Sequence, residues 1–239
     1  DEERARQFLE SPCAADIRLG SRVTTAGALA LSPHKGDLHL NGLASLTTNA
    51  AMALAGHHGD LHLNGLAAVS DAVAAALGQH QGDWLSLDGV VELSDVAAAA
   101  LARHRGSWLS LNGVKHLTQT AAASFARQVG GLSLNGLVDL SDEATLALAS
   151  HRGGFLHLDS FTCISDEAAK ALANHDHVLH LNGLTELSPT AASHLAKHKD
   201  DLHLDGLTAI SAEAAAELAR HKGAWLSLNG LIDLSDEAA

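Results

Sequence analysis

Seventeen of the 239 residues are histidine, and these are the side chains of the sequence best suited to chemistry. Their spacing sorts most of them into two columns. The first column reads His39, His62, Ser86, Ser110, Ser133, His157, His180, His203 and Ser227. Two residues further on, a partner column reads Asn41, Asn64, Asp88, Asn112, Asn135, Asp159, Asn182, Asp205 and Asn229. Imidazole nitrogen and carboxylate oxygen are donors for divalent transition metals. The three adjacent imidazoles of His157, His180 and His203, flanked by Asp159 and Asp205, are therefore the metal-ligating candidates. Strands about 4.8 Å apart do not by themselves converge on a tetrahedron. A solvated polar sheet face held by cross-strand hydrogen bonds accounts for the same columns, and the two readings stand side by side.

Trp84 and Trp108 are a second chemical signal. They sit 24 residues apart at equivalent positions, so neighbouring strands bring them together at one edge of a sheet. Two such rings form a platform for a peptide or a sugar, or they plug the space left by a longer turn. Ser, His and Asp recur as columns rather than as one singular constellation. A nucleophile needs its own base and orienting partner in a pocket, and no phosphate-binding loop, zinc-protease motif or catalytic carboxylate pair occurs. The expectation is no enzymatic activity and no cofactor.

The second histidine column is His34, His57, His80, His104, His151, His175, His198 and His221, usually followed by Lys or Arg and, two residues on, by Gly. A cation in the last helical turn with Gly just past it is a common helix ending. The expected role is a cap or a buried loop hydrogen bond.

The elements that position these columns follow from periodicity. L-x-L pairs begin at Leu38, Leu61, Leu85, Leu109, Leu132, Leu156, Leu179, Leu202 and Leu226, 23 or 24 residues apart. Their alternation is strand-like. A third apolar position follows a Gly (Leu43, Leu66, Val90, Val114, Leu137, Leu184, Leu207, Leu231), with Ser160 replacing the Gly before Phe161. A fourth (Leu46, Val69, Leu93, Leu117, Leu140, Ile164, Leu187, Ile210) precedes a helix start, where Ser70, Ser94, Ser141, Ser165, Ser188 and Ser211 stand at the N-cap and Pro189 at the first helical position. Each helix then places Leu54, Leu77, Leu101, Phe125, Leu148, Leu172, Leu195 or Leu218 eight residues after the fourth column. Where a copy has 24 residues, the extra residue is aromatic: Trp84, Trp108, Phe155 or Trp225.

Strand, turn, helix and turn at this period, with leucines facing inward, resembles the leucine-rich repeat family, most closely its Ala-rich bacterial type; Gly27, Ala28, Leu29 and Ala30 spell one such tetrapeptide. The resemblance covers roughly residues 17–239. It implies an α/β fold, a right-handed leucine-rich-repeat solenoid with a parallel concave sheet and convex Ala-rich helices. One departure stands out: Asn or Asp lies just before the Gly, and the buried Asn usual after the strand is replaced by the third apolar column. Residues 1–37 are expected to hold an N-terminal helix (Asp1–Ser11, with Phe8 in the helical-Leu role) and an atypical first repeat. Residues 38–239 hold nine strand-helix repeats, the last incomplete, in one continuous solenoid domain. The chain opens without Met and closes inside a repeat, as a trimmed piece of a longer protein would.

Composition bounds the partners. Twenty-eight acidic against fifteen basic residues give a net charge of −13, a field that repels nucleic acid. No run approaches the roughly 18 apolar residues of a membrane span. Cys13 and Cys163 fall some six repeats apart, too far for an internal disulfide. Helices such as DVAAAALAR (95–103) carry Ala on nearly every face where a charged stripe is usual. The expected function is a non-catalytic scaffold, structural or self-assembling by head-to-tail or lateral packing of the open last repeat and the Ala-rich helices. The alternative is a recognition module for another protein or peptide. Its contact residues would be His39, His62, Ser86, Ser110, His157, His180, His203, Asn41, Asn64, Trp84 and Trp108.

Overall fold

The computed structural model describes residues 22–232. The expected helix at Asp1–Ser11, Cys13, the strand start at Ile17 and the helix opening at Ser235 lie outside these residues. The described residues form two compact units: 22–114 with 128–132, and 115–127 with 133–232.

In the first unit the strands β1 (Leu38–His39), β2 (Leu61–His62), β3 (Trp84–Ser86) and β4 (Trp108–Ser110) are parallel and follow chain order. Their register sets Leu38, Leu61, Leu85 and Leu109 side by side. Four helices alternate with them: α1 (Thr25–Leu31), α2 (Thr48–Ala55), α3 (Asp71–Leu77) and α4 (Asp95–Leu101). After β5 (Gly131–Ser133), the second unit repeats the plan with β6 (Phe155–His157), β7 (Val178–His180), β8 (Leu202–His203) and β9 (Leu226–Ser227), in register through Leu156, Leu179, Leu202 and Leu226. Its helices are α5 (Gln119–Phe125), α6 (Asp142–Leu148), α7 (Asp166–Leu172), α8 (Pro189–Leu195) and α9 (Ala212–Leu218). The aromatic of a 24-residue copy is no bulge: Trp84, Trp108 and Phe155 each extend their strand by one paired residue.

The core is the set of inward leucines. Both leucines of each L-x-L pair and the third column are buried from Leu38 to Leu207, as is the helical Leu, with Phe125 standing in once. The fourth column is half-buried, and only Ile210 in it is fully covered. Short strands follow from the sequence, since L-x-L leads straight into a turn in which the third-column N–H donates to the carbonyl three residues back, as Leu66 does to Leu63 at 3.1 Å.

Each helix begins as its cap residue dictates. Thr24, Thr47, Ser70, Ser94, Thr118, Ser141, Ser165, Ser188 and Ser211 are extended, and each hydroxyl accepts the N–H three residues on. The same hydroxyls reach sideways. Ser94 donates to Asp71, Ser165 to Asp142 at 2.7 Å and Ser188 to Asp166 at 2.6 Å, so these three aspartates also tie their helices to the next cap.

The Gly columns answer to crowding rather than to backbone conformation. Gly65, Gly89, Gly113, Gly183, Gly206 and Gly230 all have φ outside the left-handed region, yet a Cβ on any of them would lie within 3.0 Å of the carbonyl oxygen of the Asn or Asp one repeat earlier. Ser160 fills this column once, and its hydroxyl donates to the Leu137 carbonyl, which turns the close approach into a hydrogen bond. The Gly after each turn histidine differs in role from the helix stop expected for it. The C-caps are Ser32, Gly56, Gly78 or an Ala such as Ala102, all in the right-handed helical region. Gly59, Gly82 and Gly106 instead lie against the carbonyl of the preceding turn and the ring of their own histidine.

Those rings form a buried ladder. His57, His80 and His104 stack at 6.2 and 5.7 Å in the first unit, and His151, His175, His198 and His221 at 5.8, 6.3 and 6.4 Å in the second. Each backbone N–H donates to the helical Leu three residues back, as His80 does to Leu77 at 2.9 Å. Gln128, fully buried, holds the one place in the column without an imidazole. Burial pushes His80 and His175 down to about 4, helped by repulsion from the neighbouring rings; the carbonyls of Gly59 and Leu54 reverse only part of the effect on His80.

Two predictions follow from these contacts. Gly89→Ala, forced against the Asn64 carbonyl, is expected to cost about 1–3 kcal/mol, whereas Gly154→Ala, with nothing within 4 Å, leaves the thermal midpoint within a degree or two of the parent. Because the folded pKa of His80 and His175 lies below the unfolded 6.5, the unfolded chain takes up protons first as pH falls. The urea midpoint should therefore hold above pH 6.5 and fall as pH drops towards 4, with a smaller fall in His80→Gln, the residue type already present at position 128. A midpoint unchanged between pH 7 and 4.5 contradicts this.

Candidate functional site

With leucines directed inward, the residues between them stand on the opposite face of each sheet. What they do there depends on side-chain length. The partner column makes a hydrogen-bonded ladder: in the first unit the N–H of Asn64 donates to Asn41 Oδ1, Asp88 to Asn64 Oδ1 and Asn112 to Asp88 Oδ1, each at 2.9 Å. In the second unit Asp159 donates to Asn135, Asn182 to Asp159, Asp205 to Asn182 and Asn229 to Asp205, at 2.9–3.0 Å. Asn and Asp interchange because only the side-chain oxygen is used.

Serine in the first column joins that ladder. Ser86 donates to Asn64 Oδ1 and Ser110 to Asp88 Oδ1, both at 2.6 Å, and Ser227 donates to Asp205 Oδ1 at 2.5 Å. Asn112 and Asn229 then donate their amides to the hydroxyls of Ser110 and Ser227. Ser86, Ser110, Ser133 and Ser227 are buried as a result. Of the expected contact residues, Ser86 and Ser110 are thus inside the network, and Asn41 and Asn64 use their Oδ1 atoms for the fold.

Histidine is too long for that arrangement, and its ring stacks on the next one instead. His39 and His62 stack at 4.4 Å, 8° from parallel. In the second unit His157 and His180 lie 3.9 Å apart at 26°, and His180 and His203 4.1 Å apart at 4°. Burial lowers the pKa of His62, His157 and His180, that of His180 to about 4 with repulsion from His157 and His203. Asp159 pulls the His157 value back upward, with its Oδ2 3.8 Å from His157 Nδ1. Burial also acts on Asp205, but hydrogen bonds from Ser227 and Asn229 outweigh it and hold this carboxyl below its usual range.

One donor atom from each of His157, Asp159 and His180 lies within 4.8 Å of the others. This is three of the five residues singled out for a metal. His203 stacks outside the group, and Asp205 is engaged by Ser227 and the Asn229 N–H.

Aromatic rings continue the stacks along the strand starts. Trp84 lies 6.1 Å from His62 and 5.4 Å from Trp108, tilted 34° to it, and remains 37% exposed. Trp108 is seated over Gly131, where a Cβ would strike its ring. Phe155 meets His157 edge-on at 6.4 Å, and Phe155 and Trp225 are exposed. These two share the inserted position of Trp84 and Trp108, which was the available sequence signal for placing them on the contact face. Two hollows of about 410 Å³ each lie elsewhere, between helix ends and turns: one lined by Gln79, Gln81, Asp83, Arg103 and Arg105, another by Ser150, Arg152, Asn174, Asp176 and His177.

No protein-family model and no curated protein sequence matches the chain. Among solved structures it is similar to a leucine-rich-repeat protein of Leptospira interrogans, with a TM-score of 0.51 and 16% identity over 95% of this chain. The chain spans 57% of that protein's length. At this identity the likeness concerns the fold, and together with the repeating strand-helix pattern it shows an α/β repeat fold of the leucine-rich-repeat type.

Proposed function

We propose that this chain is a non-catalytic protein-binding scaffold that takes a protein or peptide on its sheet face. The observation that carries the reading is the division of labour between columns. Leucines, N-cap hydroxyls, Asn/Asp oxygens and strand serines are engaged in folding. The partly exposed His39, His62 and Trp84 in the first unit, and Phe155, His157, His180 and His203 in the second, vary between repeats and stand on the outward sheet face of their own unit. Aromatic and imidazole rings on a rigid backbone offer contact area at low entropic cost, which suits recognition. Among the described residues no helix is long and apolar enough to cross a membrane, and the net charge of −13 disfavours nucleic acid.

Self-assembly is the second reading, and a specific feature of the first unit favours it. Leu29, Met52 and Val96 are 57%, 55% and 61% exposed on α1, α2 and α4, beside Ala75 and Ala99 at equivalent outward positions. Side-by-side packing would cover them. Head-to-tail packing would use residues 1–11 and 233–239, which lie outside the described residues.

Light scattering over a concentration series, combined with peptide selection on the immobilised protein, separates the readings. Recognition predicts a monomer, and selected peptides that lose binding to the Trp84→Ala, His62→Ser double variant while keeping it to Met52→Glu. Oligomers that dissolve in Met52→Glu, or peptides indifferent to the double variant, overturn the proposal.

A further inference from the structure

We propose that His157, Asp159 and His180 form a binding site for one divalent transition-metal ion, with two nitrogen donors, one carboxylate oxygen and the remaining positions open to water. His157 and His180 are paired in register on the adjacent strands β6 and β7, and Asp159 lies in the turn two residues after β6, so the backbone brings the three close together. Their donor atoms lie within 4.8 Å of one another. Bonds of about 2.0–2.1 Å in tetrahedral geometry require donors about 3.3 Å apart. Partly exposed side chains reach that separation by small torsional movements.

Ring geometry supports this trio over the other stacked histidines. The lone pair of an imidazole nitrogen lies in the ring plane, so two stacked rings converge on one ion only when their planes are not parallel. His157 and His180 are 26° from parallel, against 4° for His180 with His203 and 8° for His39 with His62. The His39 and His62 pair also lies beside Asn41 and Asn64, which bring no carboxylate.

The outer contacts orient the donors. Asp159 Oδ1 accepts the Asn182 N–H at 2.9 Å, which leaves Oδ2 facing His157 Nδ1 at 3.8 Å. Asn182 is itself oriented, because its Oδ1 accepts the Asp205 N–H at 3.0 Å. Its amide nitrogen lies 3.4 Å from His180 Nδ1, a contact that a metal bound at that nitrogen would displace. Imidazole with carboxylate suits Zn²⁺, Ni²⁺ or Co²⁺ rather than Ca²⁺ or Mg²⁺.

The repeats themselves supply the test variants. Serine occupies the His180 position in four other copies, and asparagine occupies the Asp159 position in six. His180→Ser and Asp159→Asn therefore place residues that sister repeats already carry, and a melt without metal checks that both remain folded. Calorimetric titration of the full chain at pH 7 with Zn²⁺, and separately with Ni²⁺, is expected to give one saturable event. Each of these variants should weaken it at least about tenfold, the lower bound for disturbing even an outer-sphere partner, and His203→Ser should leave it unchanged. Mg²⁺ should give no event. Isotherms that match the parent in either His180→Ser or Asp159→Asn overturn the proposal.

Discussion

In each unit one side-chain oxygen per repeat receives the backbone N–H of the equivalent residue in the next repeat, from Asn41 to Asn64 to Asp88 to Asn112, and again from Asn135 through Asp159, Asn182 and Asp205 to Asn229. The strands are only two or three residues long and cannot hold their register by ladder bonds alone. The Asn/Asp chain extends pairing past the strand, just where the backbone enters its turn. It also draws successive turns so close that the following residue has room only for hydrogen, or for the Ser160 hydroxyl that bonds to what it would otherwise strike. Leucine burial supplies the apolar driving force, and this polar chain sets the spacing at which it acts.

The same constraint sorts the rest of the face. A serine beside the chain is short enough to donate to its oxygens and disappears from the surface. A histidine at the same place is too long, stands off, and stacks on its neighbour. Whether a repeat contributes to folding or offers chemistry thus depends on one residue choice. The Asn or Asp choice is a second, independent switch: both accept the N–H, but Asp keeps an additional charged oxygen. Among the described residues, only where Asp159 coincides with the His157 and His180 rings do the two choices combine into a compact donor set.

Much of this was legible in the sequence. The leucine columns, the Ser caps and the strand starts followed from periodicity, because burial and capping act through local spacing; the Thr24, Thr47 and Thr118 caps were found only in the structure. Cross-strand hydrogen bonding of these columns was one of two readings the sequence left open, and the bonds of Asn41, Asn64, Ser86 and Ser110 match it; the depth at which the serines sit was not legible, since a polar residue on an outward column reads the same whether it meets solvent or the next repeat. The turn histidines followed the same logic. Their spacing marked the helix end, but the stacking of buried rings, and the glycines pressed beneath them, depend on how closely successive turns approach, a distance no periodicity encodes. Trp84 and Trp108 pair with each other as strand residues, and the seat beneath Trp108 is made by Gly131, a residue whose absent side chain is its contribution.

The most direct test of the account is native-state amide hydrogen exchange at the turn residues of the first unit. If the side-chain chain governs repeat spacing, the amides of Asn64, Asp88 and Asn112 exchange as slowly as those of Leu63 and Leu87, which donate to the Ser86 and Ser110 carbonyls, and Asn64→Ala selectively releases the amide of Asp88. Turn amides that exchange at the rate of an exposed loop residue such as Lys35, or an Asp88 amide indifferent to Asn64→Ala, would contradict it.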